Sequence, residues 1–175
     1  MKKLNLILLI VIFLLTVPFA KSRAQLARNS VQASSGDGAI TLSKISAGSS
    51  VAVNQKAEKN FKKDYQLASE AEWYVLSNKT LVARFFINNN LYRAFYTPHG
   101  NWMYTISSYD ESKLDRGVAD KIKSVYYNSS IAYVNQIDLV NAKTFYIVEI
   151  QDSKSIRKLR VNDDEMEIVQ DFVKQ

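Results

Sequence analysis

Apolar and polar residues alternate along the chain between Leu81 and Ile106, as they do in β-strands whose two faces meet different environments. The alternation runs from 81 to 87, stops at three asparagines, and resumes from 91 to 97. A Pro-His-Gly turn follows, and a third alternating run begins at Asn101. These residues predict an antiparallel meander of three strands.

Two amphipathic helices are predicted on either side of this meander. Ala57, Phe61 and Tyr65 recur at four-residue spacing among lysines and acids, which places one apolar stripe on a helix within 54–65. The second helix has its apolar stripe at positions 118, 122, 125 and 126, and Asp115 is its predicted N-cap. The remaining strand-like runs are 72–77 before the meander and 131–139, 144–151, 155–161 and 166–172 after the second helix.

The order of these elements repeats. Phe61 corresponds to Ile122, Tyr65 to Tyr126 and Trp73 to Tyr133, at a period of about 60 residues. The sequence therefore predicts an α+β fold of tandem αββββ units, at about 54–107 and 112–172, with both helices packed on one face of an antiparallel sheet. No sequence element is left to cover the opposite face, so we expect that face to be open.

The N-terminal region has the composition of an export signal followed by a tether. Residues 1–24 comprise a short basic segment, an apolar run and a small-x-small site ending at Ala24, although cleavage after Ala20 is an alternative. An uncleaved membrane anchor is the other interpretation, because the apolar run is at the lower limit for a spanning helix. Residues 25–53 are rich in Ser, Ala and Gly and predict a flexible linker, with one short strand within 39–45 as the alternative. Residues 54–175 are predicted to form the folded domain.

Charge and cysteine content narrow the classes of function. The chain has 23 basic and 17 acidic residues, a formal charge of +6, but Lys2, Lys3, Lys21 and Arg23 precede the predicted cut. The mature chain is then +2, and we expect no nucleic-acid partner. Without cysteine the chain has no disulfide, no lipid anchor on a thiol and no Cys nucleophile, so an apolar core must stabilise it.

Candidate chemistry is sparse, and we predict no catalytic residues, no metal site and no cofactor. His99 is the only histidine and lies in a turn, without a nucleophile motif or further zinc ligands. The acidic cluster 163–165 lacks the spacing of a calcium loop and predicts a solvated hairpin tip. The basic run 154–160 alternates along a strand, so its charges divide between two faces and predict surface decoration rather than a phosphate site.

Aromatic residues are concentrated in the meander and are the best candidates for a binding surface. We predict that those on the open face contact another protein, because Tyr and Trp are frequent in interface hot spots. The candidates are Tyr92, Tyr96, Trp102 and Tyr104. The alternative is that cross-strand aromatic pairs only stabilise the sheet. Alternation alone leaves open which set faces outward, because Arg84 and Phe86 compete for the same assignment.

The chain resembles the PepSY-like family, whose fold is related to that of the beta-lactamase inhibitory protein. The resemblance covers about residues 54–172 and rests on the order of degenerate motifs. They are the helix with Phe61 and Tyr65, Trp73, Val82-Ala83-x-Phe85, Gly100-x-Trp102-x-x-Thr105, and the helix with Val118, Ile122 and Tyr126. The chain departs from the family in having Asp115 where Pro is common and His99 where Asp is common. Membership implies tandem αβ₄ units and export to the periplasm.

These observations lead to three hypotheses. The first is a non-enzymatic binding protein, periplasmic or secreted, that binds an envelope or extracellular protein through the open aromatic face and acts as an inhibitor, a role suggested by the resemblance alone. The second is a protein that captures a small ligand or peptide between the sheet and the helices. The third is an enzyme that uses His99. Contact with a membrane is expected only through an uncleaved signal segment.

Overall fold

The computed structural model describes residues 42–45, 53–140 and 144–174 as nine strands, two α-helices and one short 3-10 helix. The helices are α1, Gln55–Asp64, and α2, Arg116–Val125, and Glu111–Lys113 is the 3-10 turn. The strands are β1 Leu42–Lys44, β2 Ser69–Leu76, β3 Leu81–Ile87, β4 Asn90–Tyr96, β5 Trp102–Tyr109, β6 Ser130–Leu139, β7 Phe145–Gln151, β8 Ser155–Val161 and β9 Met166–Val173.

The strands form one antiparallel sheet in which each strand pairs with its neighbours in the sequence, from β1 at one edge to β9 at the other. Both helices pack on the same side, which we call the helical face. Phe85 lies in the cluster with α1, and Tyr146 packs against the cluster that contains α2. Cross-strand partners share a face, and a continuous row of partners joins these two residues: Phe85, Tyr92, Ser107, Gln136 and Tyr146. The other side is the opposite face.

The tandem repeat is present, and its period is 61 residues. The first residues of α1 and α2, Gln55 and Arg116, are separated by this interval, and both helices have ten residues. Phe61 and Ile122 are equivalent core residues, as predicted. The predicted equivalence of Trp73 and Tyr133 is wrong, because it uses an interval one residue too short. Trp73 packs on the helical face, where its equivalent is Val134, and a one-residue slip in a strand reverses the face.

Side-chain caps fix where both helices begin. The Asn54 side chain accepts hydrogen bonds from the backbone N–H groups of Lys56 and Ala57, at 2.9 and 3.4 Å. Asp115 accepts one from Val118 at 3.2 Å, which confirms its predicted role as N-cap. Each cap satisfies backbone donors that have no partner within the first helical turn.

The N-terminal predictions are only partly within the described residues. Leu42–Lys44 form a strand that pairs with β2, so this part of the predicted linker corresponds to the alternative of a short strand within 39–45. The predicted signal segment 1–24 and linker residues 25–41 and 46–52 lie outside the described residues. Within the described part of the chain, neither helix has the length and apolar character needed to cross a membrane.

Asp152 stabilises the turn between β7 and β8. Its carboxylate accepts hydrogen bonds from the backbone N–H groups of Lys154 and Ser155, both at 2.7 Å, and from the Ser155 hydroxyl and Arg157 at 2.9 and 3.0 Å. These donors, the Lys154 N–H above all, hold the pKa of Asp152 well below its ordinary value. Its contribution to stability is therefore fully present above the ordinary carboxyl pKa of about 4 and is lost as pH falls through the lowered value.

We expect Asp152→Asn to make the free energy of unfolding fall less steeply with acidification below about pH 4 than it does in the unmodified chain. Urea unfolding at a series of pH values measures this slope. The control is Asp120→Asn, which changes an exposed acid on α2 and should leave the slope as it is. Parallel curves for the Asp152 variant and the unmodified chain would contradict the prediction.

Candidate functional site

The four aromatic residues predicted to bind a partner do not share one face of the sheet. Tyr96 is fully buried in the cluster formed with α1, and Tyr92 and Trp102 pack against the same cluster. Tyr104 lies on the opposite face, where it stacks on Phe95 with ring centroids 4.3 Å apart. The predicted placement of all four on one open face is therefore wrong, and a role in binding stays a prediction.

The hairpin turn between β3 and β4 explains this misplacement. Asn88 and Asn89 both adopt positive φ, at 50° and 63°, so they form a two-residue turn and Ile87 pairs with Asn90. This register puts Tyr92 directly beside Phe85 and on the helical face. Treating all three asparagines as the turn leaves the register open. Asparagine tolerates the left-handed conformation, so a two-residue Asn-Asn turn could have been predicted from the sequence.

The opposite face has an apolar centre. None of its central side chains is more than 6% exposed, although neither described helix packs on this side. The expectation of exposed aromatic rings here is therefore wrong for Tyr104, whose burial also raises the pKa of its phenol above the ordinary value. The central residues are Leu76, Val82, Phe95, Tyr104, Ile106, Ile137, Phe145 and Ile147.

Exposed aromatic side chains lie towards β6 and β9 on the same face. Tyr133 is 38% exposed and is the cross-strand partner of Glu149. Phe172 is 51% exposed and pairs with Ile156. These two rings form what we call the aromatic rim. They were not among the candidates from sequence, because those candidates were taken only from the aromatic meander, which corresponds to β3, β4 and β5.

Three arginines lie on the opposite face beside its apolar centre, and two of them have an acidic partner. Arg84 lies 3.4 Å from the Glu72 carboxylate, and its guanidinium stands 5.0 Å from the centre of the Phe86 ring. Arg160 pairs with Glu167 at 3.0 Å. The carboxylates and aromatic rings stabilise the positive charge of these guanidinium groups.

Arg93 is the arginine that sequence analysis missed. It is directly opposite Arg84 on one side and Ile106 on the other. Its Nη2 donates to the Ser108 hydroxyl at 3.2 Å, and Ser108 in turn donates to Asn135 at 2.7 Å. No ion pair with a described residue involves Arg93. Burial lowers the pKa of Arg93, because the charged guanidinium loses part of its contact with water.

The other candidate groups behave as isolated surface features. His99 is exposed in the turn between β4 and β5, and no described residue forms a hydrogen bond with its side chain. The part of the chain that the structure describes has no group of His, Cys or acidic residues able to hold a metal ion. The acidic tip is held to α2 by Lys121, which donates to the backbone oxygens of Asn162 and Asp163 at 3.0 Å each.

The basic run on β8 is divided between the two faces, as predicted. Arg157 is paired with Asp152 and with Asp171 at 3.1 Å, in register with residues of the helical face. Lys158 and Arg160 belong to the opposite face, where Arg160 also stands 5.3 Å from the Phe145 ring centre. The carboxylates that neutralise these arginines make the run a poor phosphate site.

Comparison with known proteins identifies the fold. No protein-family model matches the sequence, and no curated protein matches it. Solved structures do match: a BLIP-like protein from Bacteroides fragilis NCTC 9343 has a TM-score of 0.59 at 16% identity, covering 73% of this chain and 90% of that one. A DUF2874 family protein from Bacteroides uniformis ATCC 8492 has a TM-score of 0.58 at 14% identity, covering 69% and 89%.

A third match is a candidate periplasmic protein from Bacteroides eggerthii DSM 20697, with a TM-score of 0.56 at 14% identity and coverage of 68% of this chain and 87% of that one. Identities this low relate folds rather than activities. The predicted α+β architecture, with two helices on one face of an antiparallel sheet and BLIP-like topology, is confirmed.

Proposed function

We propose that this chain is an exported, non-enzymatic protein, periplasmic or secreted, that binds another protein through the opposite face of its sheet. Membership in the PepSY-like family is part of the proposal and is supported by the order of motifs. An inhibitory action on an envelope enzyme is its finer form, and the BLIP-like fold supports it by analogy. Export is supported by the basic and apolar N-terminal segment and by the periplasmic description of a structural neighbour.

The observation that carries the proposal is the apolar centre of the opposite face beside an exposed aromatic rim. The central side chains of this face are already buried, so the exposed rings of the aromatic rim are the apolar groups that a partner could cover, and exposed apolar side chains of this kind are typical of protein interaction sites. Partly exposed Tyr and Phe side chains next to arginines also match the composition of interfaces, in which aromatic residues and Arg are enriched. We therefore propose that the partner contacts the aromatic rim, away from Tyr92, Tyr96 and Trp102.

Capture of a small ligand between the sheet and the helices is less well supported. The space between α1 and β3 is filled by aromatic rings, since the Phe85 ring centre lies 4.9 Å from that of Phe61 and 4.7 Å from that of Tyr65. Tyr65 also contacts Thr105 on β5 by a hydrogen bond. Filled contacts of this kind leave no apolar cavity for a ligand at this position.

The proposal is tested by affinity capture with the full chain, expressed with its own N-terminal segment and a C-terminal tag, from the envelope fraction of the producing cell. We expect a partner that the unmodified chain retains and that the double variant Tyr133→Ala, Phe172→Ala loses by at least about tenfold, because aromatic anchors commonly contribute 1–2 kcal/mol each. Quantitative mass spectrometry of the retained proteins measures this ratio.

The control variant is Tyr127→Ala with Leu67→Ala, which removes two apolar side chains that are even more exposed, 80% and 76%, from the turns that follow the two helices. This control should keep the partner. Equal loss in both variants would place the binding site elsewhere, and no retained partner would reject the protein-binding function. The N-terminal residue of the recovered chain, determined by mass spectrometry, tests cleavage after Ala24 in the same preparation.

A further inference from the structure

We infer that Arg93 is the docking point for a carboxylate side chain, Asp or Glu, presented by the protein partner. The inference rests on the proposed function, because it places an acidic residue of that partner on the opposite face. Arg93 is at the middle of β4, between Leu91 and Phe95 along the strand and between Arg84 and Ile106 across it. It is the one arginine of this face that has no ion pair among the described residues.

The hydrogen-bonding capacity of Arg93 is mostly unused within the described residues. A guanidinium is a planar fork of N–H donors and has no acceptor. One of these donors reaches Ser108, while the buried Nε has no hydrogen-bond partner. The residue as a whole is only half-buried, so part of it remains accessible to a partner. A partner's carboxylate could accept hydrogen bonds from the Nη donors on the accessible part of this fork.

The charge of Arg93 is equally uncompensated. Arg84 and Arg160 on the same face form ion pairs with Glu72, which Lys44 shares, and with Glu167, but no described carboxylate forms an ion pair with Arg93. The directly opposed Arg84 adds like-charge repulsion across the β3–β4 pair. A half-buried cation without a counter-ion costs stability in the free protein, and a partner's carboxylate would relieve that cost on binding.

The surroundings of Arg93 favour a carboxylate on a protein over a polyanion. Nucleic acids and polyphosphates are bound by several unpaired cations at once, whereas the neighbouring arginines of this face are already paired. Leu91, two residues from Arg93 along β4, and its cross-strand partner Phe86 are half-buried on the same face, so they favour an apolar counterpart around the acid. An Asp or Glu flanked by apolar side chains on a protein surface meets both requirements.

The probes are two blocked peptides, acetyl-Leu-Glu-Phe-amide and acetyl-Leu-Gln-Phe-amide, which differ only in the charge of the central residue. They are titrated into the full chain while ¹⁵N–¹H correlation spectra record the Arg93 Nε–H and the backbone amides of Ser108 and Asn135. We expect the glutamate peptide to shift these signals saturably, with a dissociation constant in the millimolar range, and the glutamine peptide to bind at least about tenfold more weakly.

Two variants complete the test. Arg93→Met should abolish the response of Ser108 and Asn135 and raise Tm by a few degrees, because it removes an uncompensated charge. Arg116→Met removes the same charge from the first residue of α2, which is exposed, and should leave the peptide response unchanged. Equal binding of the two peptides, no response at about 20 mM glutamate peptide, or a fall in Tm for Arg93→Met would each overturn the inference.

The capture experiment separates failure of this inference from failure of the proposed function. Loss of the partner with the Tyr133 and Phe172 variant, but not with Arg93→Met, would leave protein binding intact and overturn the role of Arg93. A glutamate-specific peptide response without any captured partner would support a carboxylate site at Arg93 and reject the proposed function as stated.

Discussion

Replacement of Phe85 by alanine is expected to lower the free energy of unfolding by about 3–5 kcal/mol. The side chain is fully buried on the helical face and is the point where the rings from α1 and the sheet converge. Its ring centre lies within 5.5 Å of those of Phe61, Tyr65 and Tyr92. Truncation removes the transfer free energy of the ring and leaves a cavity that the helix cannot close without breaking its other contacts.

Phe86 offers a matched control one residue away. It points to the opposite face, is half-buried, and contacts the Arg84 guanidinium rather than a helix. Phe86→Ala should therefore cost only about 1 kcal/mol. Urea unfolding measures both changes, with similar m values showing that the transitions are comparable. Equal costs for the two variants would mean that the helical face does not contain the main core.

Gly100→Ala is the second change from which we expect a large loss of stability, roughly 2–4 kcal/mol. Gly100 closes the turn between β4 and β5 with φ +80°, a conformation that disfavours any residue with a Cβ. An added Cβ would lie 2.6 Å from the backbone nitrogen of Ala57 and 2.7 Å from the Asn54 Oδ1. The substitution therefore combines backbone strain with a clash against the beginning of α1.

The clash would also separate two parts of the chain that are joined by hydrogen bonds. Asn60 donates to the Gly100 carbonyl at 3.0 Å, and Asn54 donates to the Pro98 carbonyl at 3.1 Å. Thermal unfolding of Gly100→Ala should show a Tm lower by about 10 °C or more.

Gly117→Ala is the control for that prediction. Gly117 lies in the first turn of α2 at ordinary helical φ, and an added Cβ meets only Asp115 Oδ1 at 3.2 Å. The gain in helix propensity is offset by this tight contact with the cap, so we expect a change below about 1 kcal/mol in either direction. A Gly100→Ala variant as stable as this control would show that the turn can move away from α1.

The candidate binding residues predicted from the sequence do not share one face of the sheet, and the reason is local. A two-residue turn at Asn88 and Asn89 fixes the register of β4 against β3, and this register decides the face of every following residue as far as Tyr96. A shift between Phe95 and Tyr96 then allows Trp102 to join the helical face while Tyr104 does not. Aromatic composition identified the strands but not their orientation.

The face of the sheet on which Arg93 lies could have been predicted from the sequence. Once the turn is limited to two residues, Arg93 must pair with Arg84 and share its face. Whether an arginine forms an ion pair depends on contacts between neighbouring strands, such as those of Arg84 with Glu72 and of Arg160 with Glu167. Those contacts depend on side-chain geometry, which period-2 alternation leaves undetermined.

The elements of this protein and their order follow from its sequence, because apolar periodicity, caps and turn residues act locally. Eight of the strands and both helices lie where these patterns predict them, and Asp115 caps the second helix. The packing of the whole fold sets which side chains the helices cover, buries Tyr96 and packs Tyr92 and Trp102 against the same cluster, and leaves Arg93 without an ionic partner among the described residues. These properties depend on strand register and on long-range contacts, in which a shift of one residue exchanges the two faces of the sheet.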